Sequence, residues 1–408
     1  VSLVIRARRL LDVRTGGFVE NPVVTVEGDR IAAVGSPPPA GATVLDWGDR
    51  ILLPGLIDAH THVLLQGNLS RADYHHQILR EYPAHRVARA VRSLRIALEH
   101  GFTFLRDLET EGAGYADVAL RDAVSEGILP GPRMQVAGPS LSTTGTYPIL
   151  RYRPDWVFPV GVQTIDGPDQ GRRAVREQLS FGTDWVKVYA NMGAGQGVTN
   201  DGYIDSPANF TLPELSAVVD EAHAHGSRVA AHATSDHGIR VALDAGVDSI
   251  EHGYSIRPEV AAEMAARNIF LSPTFTATAY VAEARAKERS PVWSETPRIQ
   301  ARSFENCLAA GVRIAFGTDV GGFPWTDIPQ ATEFGLMTRY GMSSIDAIRS
   351  ATVDSAQLLH VADDVGVIEA GAYADLIAVR DDPLEDISAL GRVDMVMKGG
   401  VVVHQPSP

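Results

Sequence analysis

Two histidines one residue apart, His60 and His62, end the stretch Pro54-Gly55-Leu56-Ile57-Asp58-Ala59-His60-Thr61-His62. An apolar run, Ile51-Leu52-Leu53, leads into it. The stretch reads as a strand, in which residues i and i+2 share a face. His60 and His62 therefore project together from the strand's C-terminal end. Neutral imidazole is the commonest protein metal ligand, so the pair suits a divalent cation. Solvated histidines in a loop would show the same spacing, and the rest of the chain has to decide.

Four further residues have the chemistry to join them. Lys187 sits inside the apolar run Trp185-Val186-Lys187-Val188-Tyr189, and His232 ends Val229-Ala230-Ala231-His232. His252 follows Ile250-Glu251, and Asp319 follows Ile314-Ala315-Phe316-Gly317-Thr318. Each alone has an ordinary alternative: a snorkelling lysine, a core histidine with a hydrogen-bond partner, a helix N-cap. Together these strand ends are hard to explain that way. Burying an unpaired polar group costs roughly 2–7 kcal/mol, and a shared metal centre would satisfy them all at once.

The elements that would position these residues are readable from 54 to 362. Strand-like runs recur at 55–63, 102–108, 133–139, 184–191, 228–235, 248–253, 269–275 and 313–319. Helical patterns lie between most of them: 84–100, 172–179, 212–225, 239–245, 258–266 and 304–310. Many end at glycine, as at Gly101, Gly127, Gly182, Gly226, Gly246 and Gly311, which is how a helix stops before a buried strand. Eight such units predict an α/β fold, a (β/α)8 TIM barrel, over a doubly wound open sheet; barrel active sites lie at the C-terminal strand ends. Two stretches, 64–84 with His75, His76, Tyr82 and Pro83, and 140–170, read as long loops over a site. Short strands fill residues 1–53, and similar ones follow Ala374. Neither end alone can close a core. The two are expected to form one small β-sandwich domain from 1–53 and 363–408, with the barrel of 54–362 inserted between them.

These residues carry a resemblance to the amidohydrolase superfamily of metal-dependent hydrolases. It runs through Leu53-Pro54-Gly55-Leu56-Ile57-Asp58-Ala59-His60-Thr61-His62, Gly101-Phe102-Thr103-Phe104-Leu105-Arg106-Asp107, Ala245-Gly246-Val247-Asp248-Ser249-Ile250-Glu251-His252-Gly253, Gly317-Thr318-Asp319 and Gly371-Ala372-Tyr373-Ala374-Asp375-Leu376. Within the superfamily the chain is similar to the imidazolonepropionase-like branch, which holds prolidase-like dipeptidases, carboxypeptidases and ochratoxin-type amidases. The resemblance implies two divalent ions, zinc the first candidate, on His60, His62, His232, His252 and Asp319, bridged by a carboxylated Lys187. It implies amide hydrolysis by a metal-bridging hydroxide, with Asp319 moving the proton. The expected substrate is a small carboxylate-bearing amide such as a dipeptide or an N-acyl amino acid. Tyr147, Tyr189, Arg151, Arg153 and Tyr254 are candidate contacts for its carboxylate. Where many relatives carry Gly-Gly-His after strand 3, this chain reads Thr143-Thr144-Gly145-Thr146-Tyr147; Tyr147 or His237 would stand in for that histidine. Asp107 and Glu251 read as supporting partners. The alternatives are a one-metal cyclic-amide or imidazolone ring hydrolase with Lys187 unmodified, and a non-catalytic scaffold.

Bulk composition narrows the partners. In 408 residues, 36 basic side chains face 50 acidic ones, a net charge of −14, which argues against nucleic acid or an anionic membrane. No apolar run is long enough to span a bilayer. The single cysteine, Cys307, excludes an internal disulfide and reads as a buried helix residue. A small-molecule substrate, a homo-oligomer and a cytoplasmic location are the expectations.

Overall fold

The computed structural model describes residues 2–67, 71–147, 155, 160–191, 197–286 and 291–406. Arg151 and Arg153 lie outside the described residues.

The alternation read in the sequence folds as two parallel sheets. One joins Leu56–Thr61, Phe102–Asp107 and Arg133–Val136. The other runs Gln163–Thr164, Leu141–Ser142, Trp185–Tyr189, Arg228–Ala233, Ser249–His252 and Phe270–Ser272. Every residue of Leu56–Thr61 and Phe102–Asp107 is buried, as expected of parallel strands covered on both faces. The expected eighth strand, 313–319, is instead irregular. Gly317 and the left-handed Asp319 (φ 59°) interrupt its ladder, leaving single parallel bridges Leu271–Ile314 and Thr61–Val320. It still lies between the two sheets: Ala315 N donates to Leu271 O at 2.9 Å, and Ala59 N to Phe316 O at 2.8 Å.

The helices stop and start by local chemistry. Leu212–Ala224 opens with a capping box of Thr211 and Glu214, and Asp236–Ala245 is capped by the Ser235 side chain. Gly246 closes the latter at φ 88°, a left-handed conformation that costs glycine little. Other helices differ from expectation in extent. The stretch 64–84 is not one loop: Arg71–Leu79 is helical, and Pro83 already belongs to the next helix, Pro83–Glu99, where proline suits the first turn. The pattern at 172–179 extends to Pro168–Ser180. That at 304–310 belongs to Pro291–Ala310, a helix that tolerates an internal Pro297 and buries Cys307.

Both chain ends meet in one sheet. Leu376–Val379 pairs antiparallel with Ile51–Pro54, and the strand order continues through Met395–Lys398 and Val401–His404 on one side, Arg9–Asp12 and Gly17–Glu20 on the other. A second sheet holds Leu3–Arg6, Val23–Glu27, Arg30–Val34 and Thr43–Asp46. Ile51, Leu52 and Leu53 are fully buried between these strands and the helices, and so is Ile377. The strand that carries His60 thus continues directly from a strand clamped by the C-terminal segment. Ile377→Ala should cost about 2–5 kcal/mol, read as a lowered urea midpoint with unchanged m-value.

Candidate metal centre

Alternation along Leu56–Thr61 and its continuation puts Asp58, His60 and His62 on one face, all buried. Parallel pairing then brings the neighbouring strand ends to the same place. The imidazoles form a chain: ring centroids are 5.4 Å apart for His60–His62, 4.9 Å for His60–His252 and 4.6 Å for His232–His252. Asp319 faces three of them. Its Oδ1 is 3.1 Å from His62 Nε2 and 3.7 Å from His60 Nε2, and its Oδ2 is 4.0 Å from His252 Nδ1. One ligand atom each from His60, His62 and Asp319 lie within 4.8 Å of one another. Lys187, only 2 % exposed, interacts electrostatically with His60, His232 and His252.

The electrostatics favour cation binding. Burial holds His60 and His252 well below the ordinary imidazole range and His232 down at about 3, with the charge of Lys187 adding to each. These rings are neutral, with lone pairs to give. Burial opposes charge on His62 too, but the hydrogen bond and charge of Asp319 outweigh it and raise that ring to about 9. Burial also lowers Lys187. Two buried ring nitrogens of the centre, His60 Nε2 and His232 Nε2, have no hydrogen-bond partner among the described residues. Such orphans are rare and costly in a folded interior. Their donor set, nitrogen and carboxylate oxygen, is what zinc and related cations take. The residues present therefore fit a metal.

The supporting partners are built in. His60 Nδ1 donates to Glu251 Oε2 at 2.7 Å, while Arg106 Nη2 donates to Glu251 Oε1 at 2.9 Å. Because a carboxylate only accepts, Nδ1 carries the His60 proton and Nε2 stays free. His62 Nδ1 donates to Glu109 O at 3.3 Å, while its Nε2 faces Asp319 Oδ1. Thr274 Oγ1 lies 2.8 Å from His252 Nδ1. Gly317 makes room for the assembly: a Cβ there would sit 2.8 Å from the His60 Cβ and closer still to Ser272 Oγ. Backbone strain concentrates here as well. Glu109, Glu111, His252, Thr274 and Asp319 all hold positive φ, which non-glycine residues adopt only where the surroundings impose it.

One flank of the centre was not foreseen. Glu109 and Glu111, just past Phe102–Asp107, are buried beside Tyr74 and the half-buried Tyr147 and Tyr189. Tyr189 OH donates to Glu109 Oε2 at 2.8 Å; Tyr74 and Tyr147 hydroxyls donate to Glu111. Burial, with Glu111 beside it, raises Glu109 to about 8. The Tyr189 ring is 4.8 Å from His232, so this flank adjoins the imidazoles. The only sequence sign was the pair of acids two residues apart after a strand, Glu109-Thr110-Glu111. The hydroxyls of Tyr147 and Tyr189 are thus committed to carboxylates. Tyr254 is on the opposite flank, its ring 5.8 Å from His252 and its hydroxyl accepting from Thr278. It packs with Ile204, Val292 and Ile299. His237, in the first turn of Asp236–Ala245, is exposed. Asp107 binds Val63 N at 2.7 Å and supports the His60–His62 turn. Glu251→Gln keeps the shape but weakens acceptance from His60. It should lower metal affinity about 10–100-fold, measured by competition with a chromogenic chelator.

The chain matches the amidohydrolase family over residues 51–403. It is 30% identical over 381 residues to ochratoxinase of Aspergillus niger, covering 87% of this chain and 76% of that protein. It is 27% identical over 403 residues to imidazolonepropionase of Sphingopyxis alaskensis, covering 92% of this chain and 90% of that protein. Among solved structures, a Xaa-Pro dipeptidase with bound methionine superposes with a TM-score of 0.87 at 32% identity, covering 98% of this chain and 99% of that one. A prolidase complexed with N-methylphosphonate-L-proline gives 0.87 at 28% identity, covering all of both chains. The α/β fold is TIM-barrel-like, as in these neighbours. Parallel strand ends that gather His60, His62 and Asp319, together with this match across nearly the whole chain, give one conclusion: the protein belongs to the amidohydrolase family and is a hydrolase of C–N bonds.

Proposed function

We propose that this hydrolase is a binuclear metal-dependent enzyme that cleaves the amide bond of a small substrate, a dipeptide or an N-acyl amino acid. The observation that carries the reading is the chain of imidazoles around Asp319, three of them held neutral by desolvation and two with an Nε2 unpartnered among the described residues. Ochratoxinase, a Xaa-Pro dipeptidase and a prolidase among its relatives support the amide. In this reading His60, His62 and Asp319 hold one cation and His232 and His252 the other. Lys187, as a carbamate, would add its two oxygens to this ligand set. Its burial favours the neutral amine, which is the form that adds carbon dioxide, releasing one proton and leaving an anion with two oxygens. The bound ions would polarise the scissile carbonyl and lower the pKa of water from about 15.7 toward 7. Asp319 takes the proton of the attacking water and returns it to the departing amine. Glu251 and Arg106 hold His60 in its ligating tautomer throughout.

The substrate lies between unlike flanks. The hydroxyls of Tyr147 and Tyr189 already donate to Glu111 and Glu109, which leaves neither free to donate to a substrate carboxylate on that side. Tyr254 with Ile204 and Val292 offers an apolar side. A substrate carboxylate is therefore expected away from Glu109 and Glu111. We further propose that residues 54–362 are the catalytic unit, a closed (β/α)8 barrel, with 1–53 and 363–408 as a β-sandwich domain. The pairing of Ile51–Pro54 with Leu376–Val379 supports this division. Among the described residues no helix is long and apolar enough to cross a membrane.

Elemental analysis of protein produced with bicarbonate should return two metal ions per chain, falling in Lys187→Ala. One ion, unaffected by that substitution, would favour a one-metal ring hydrolase instead. Asp319→Asn should retain metal and lose about 10²–10⁴-fold in kcat against a dipeptide panel; full turnover in that variant would refute the mechanism.

A further inference from the structure

The strands that end at the metal centre begin at a second cavity. Arg228 opens the strand that carries His232, Asp248 precedes the strand that ends in His252, and Phe270 opens Phe270–Ser272. Around these N-terminal strand ends lies a cavity of about 300 Å³, lined among others by Arg228, Arg267, Arg313, His223, His360 and Asp248. It is at the opposite end of the strands from Asp319, and the proposed chemistry uses none of its residues.

Its charges are unevenly matched. Arg267 pairs with Glu263 at 3.0 Å, and Arg313 with Asp354 at 3.2 Å. The one acid in the lining, Asp248, accepts through a single oxygen from Val229 N at 2.8 Å and faces His223 Nε2 at 2.9 Å. Arg228 has no carboxylate at ion-pair distance among the described residues. Its guanidinium lies 5.8 Å from the Trp185 ring centroid, and its Nη2 donates to His360 Nδ1. A histidine that accepts at Nδ1 carries its proton at Nε2, which leaves a further donor. His360 and Asn268, which also line the cavity, hold φ of 56° each. The lining is thus rich in donors, with one half-buried guanidinium that feels the charge of Asp248 but makes no ion-pair contact among the described residues, in a chain whose net charge is −14.

We propose that this cavity is a second, non-catalytic site that binds a small tetrahedral oxyanion of the phosphate type, with Arg228 as its principal ligand. Guanidinium groups recognise such anions through paired N–H donors, and a cavity of this volume admits a phosphate group and a short substituent. The phosphate could be free or carried on an ester, and the affinities of the two separate those sources.

The test is calorimetric titration of the metal-loaded protein with inorganic phosphate and, separately, with glycerol 3-phosphate. One saturable site per chain is expected. Its affinity should fall by at least about tenfold in Arg228→Gln, with circular dichroism and metal content unchanged. Arg313→Gln, also in the lining, should weaken binding as well and serves if Arg228→Gln does not fold. Tighter binding of the ester would mark a phosphorylated metabolite as the ligand, and tighter binding of phosphate the free ion. No saturable binding, or binding that both variants retain because the anion sits at the metal centre, would overturn the proposal.

Discussion

A buried ion pair sets the geometry on which the rest depends. Arg106 and Glu251 meet at 2.9 Å with neither side chain exposed. In such an interior each charge requires the other, and loss of one partner typically costs about 3–5 kcal/mol. Glu251 has a second oxygen, and that oxygen fixes the proton of His60, a residue 191 positions away in the chain. The Arg106 guanidinium also lies 4.4 Å from the Trp185 ring centroid. It therefore separates an apolar cluster of Trp185, Phe104 and Phe270 from the imidazoles beyond. One charged contact holds the apolar base of the strands and the polar chemistry above it in register.

Above that pair the fold accepts local strain and desolvation that would be unfavourable elsewhere. Positive φ at His252, Thr274 and Asp319 turns each strand end so that its side chain faces the centre instead of continuing the ladder. The same distortion explains why 313–319 is irregular where a strand was expected. Its backbone still bonds to both neighbours, so the deviation serves the placement of Asp319. Desolvation then does chemical work: it keeps three imidazoles neutral and disfavours charge on Lys187, leaving lone pairs where a cation needs them.

The two ends of the strands divide the labour. The C-terminal ends bear nitrogen and carboxylate ligands, flanked by the Glu109–Glu111–tyrosine network on one side and apolar side chains on the other. The N-terminal ends bear arginines. The sheet that joins Ile51–Pro54 to Leu376–Val379 anchors the His60 strand from below, which ties the placement of a ligand to residues more than 300 positions later.

How much of this was legible beforehand follows from the range of each interaction. The period-two alternation that aligns His60 with His62, the glycines that stop helices at Gly101 and Gly246, and the pairing partners expected from both chain ends are local or compositional, so one sequence suffices to read them. The ligand candidates stood out too, because each sits within or at the end of its own apolar strand-like run. The helix at Arg71–Leu79 was hidden by its polar, weakly patterned sequence. The packing of Tyr74 and Tyr147 onto Glu111 joins residues 36 and 37 positions apart, and nothing local to either announces it. Nor could sequence distinguish an arginine in contact with a carboxylate, such as Arg313, from one that makes no such contact among the described residues, such as Arg228. Side-chain identity and strand period are written in the chain itself; which buried charges meet, and which remain unpaired, is decided only when distant strands pack, because desolvation and Coulomb energies depend on those distances.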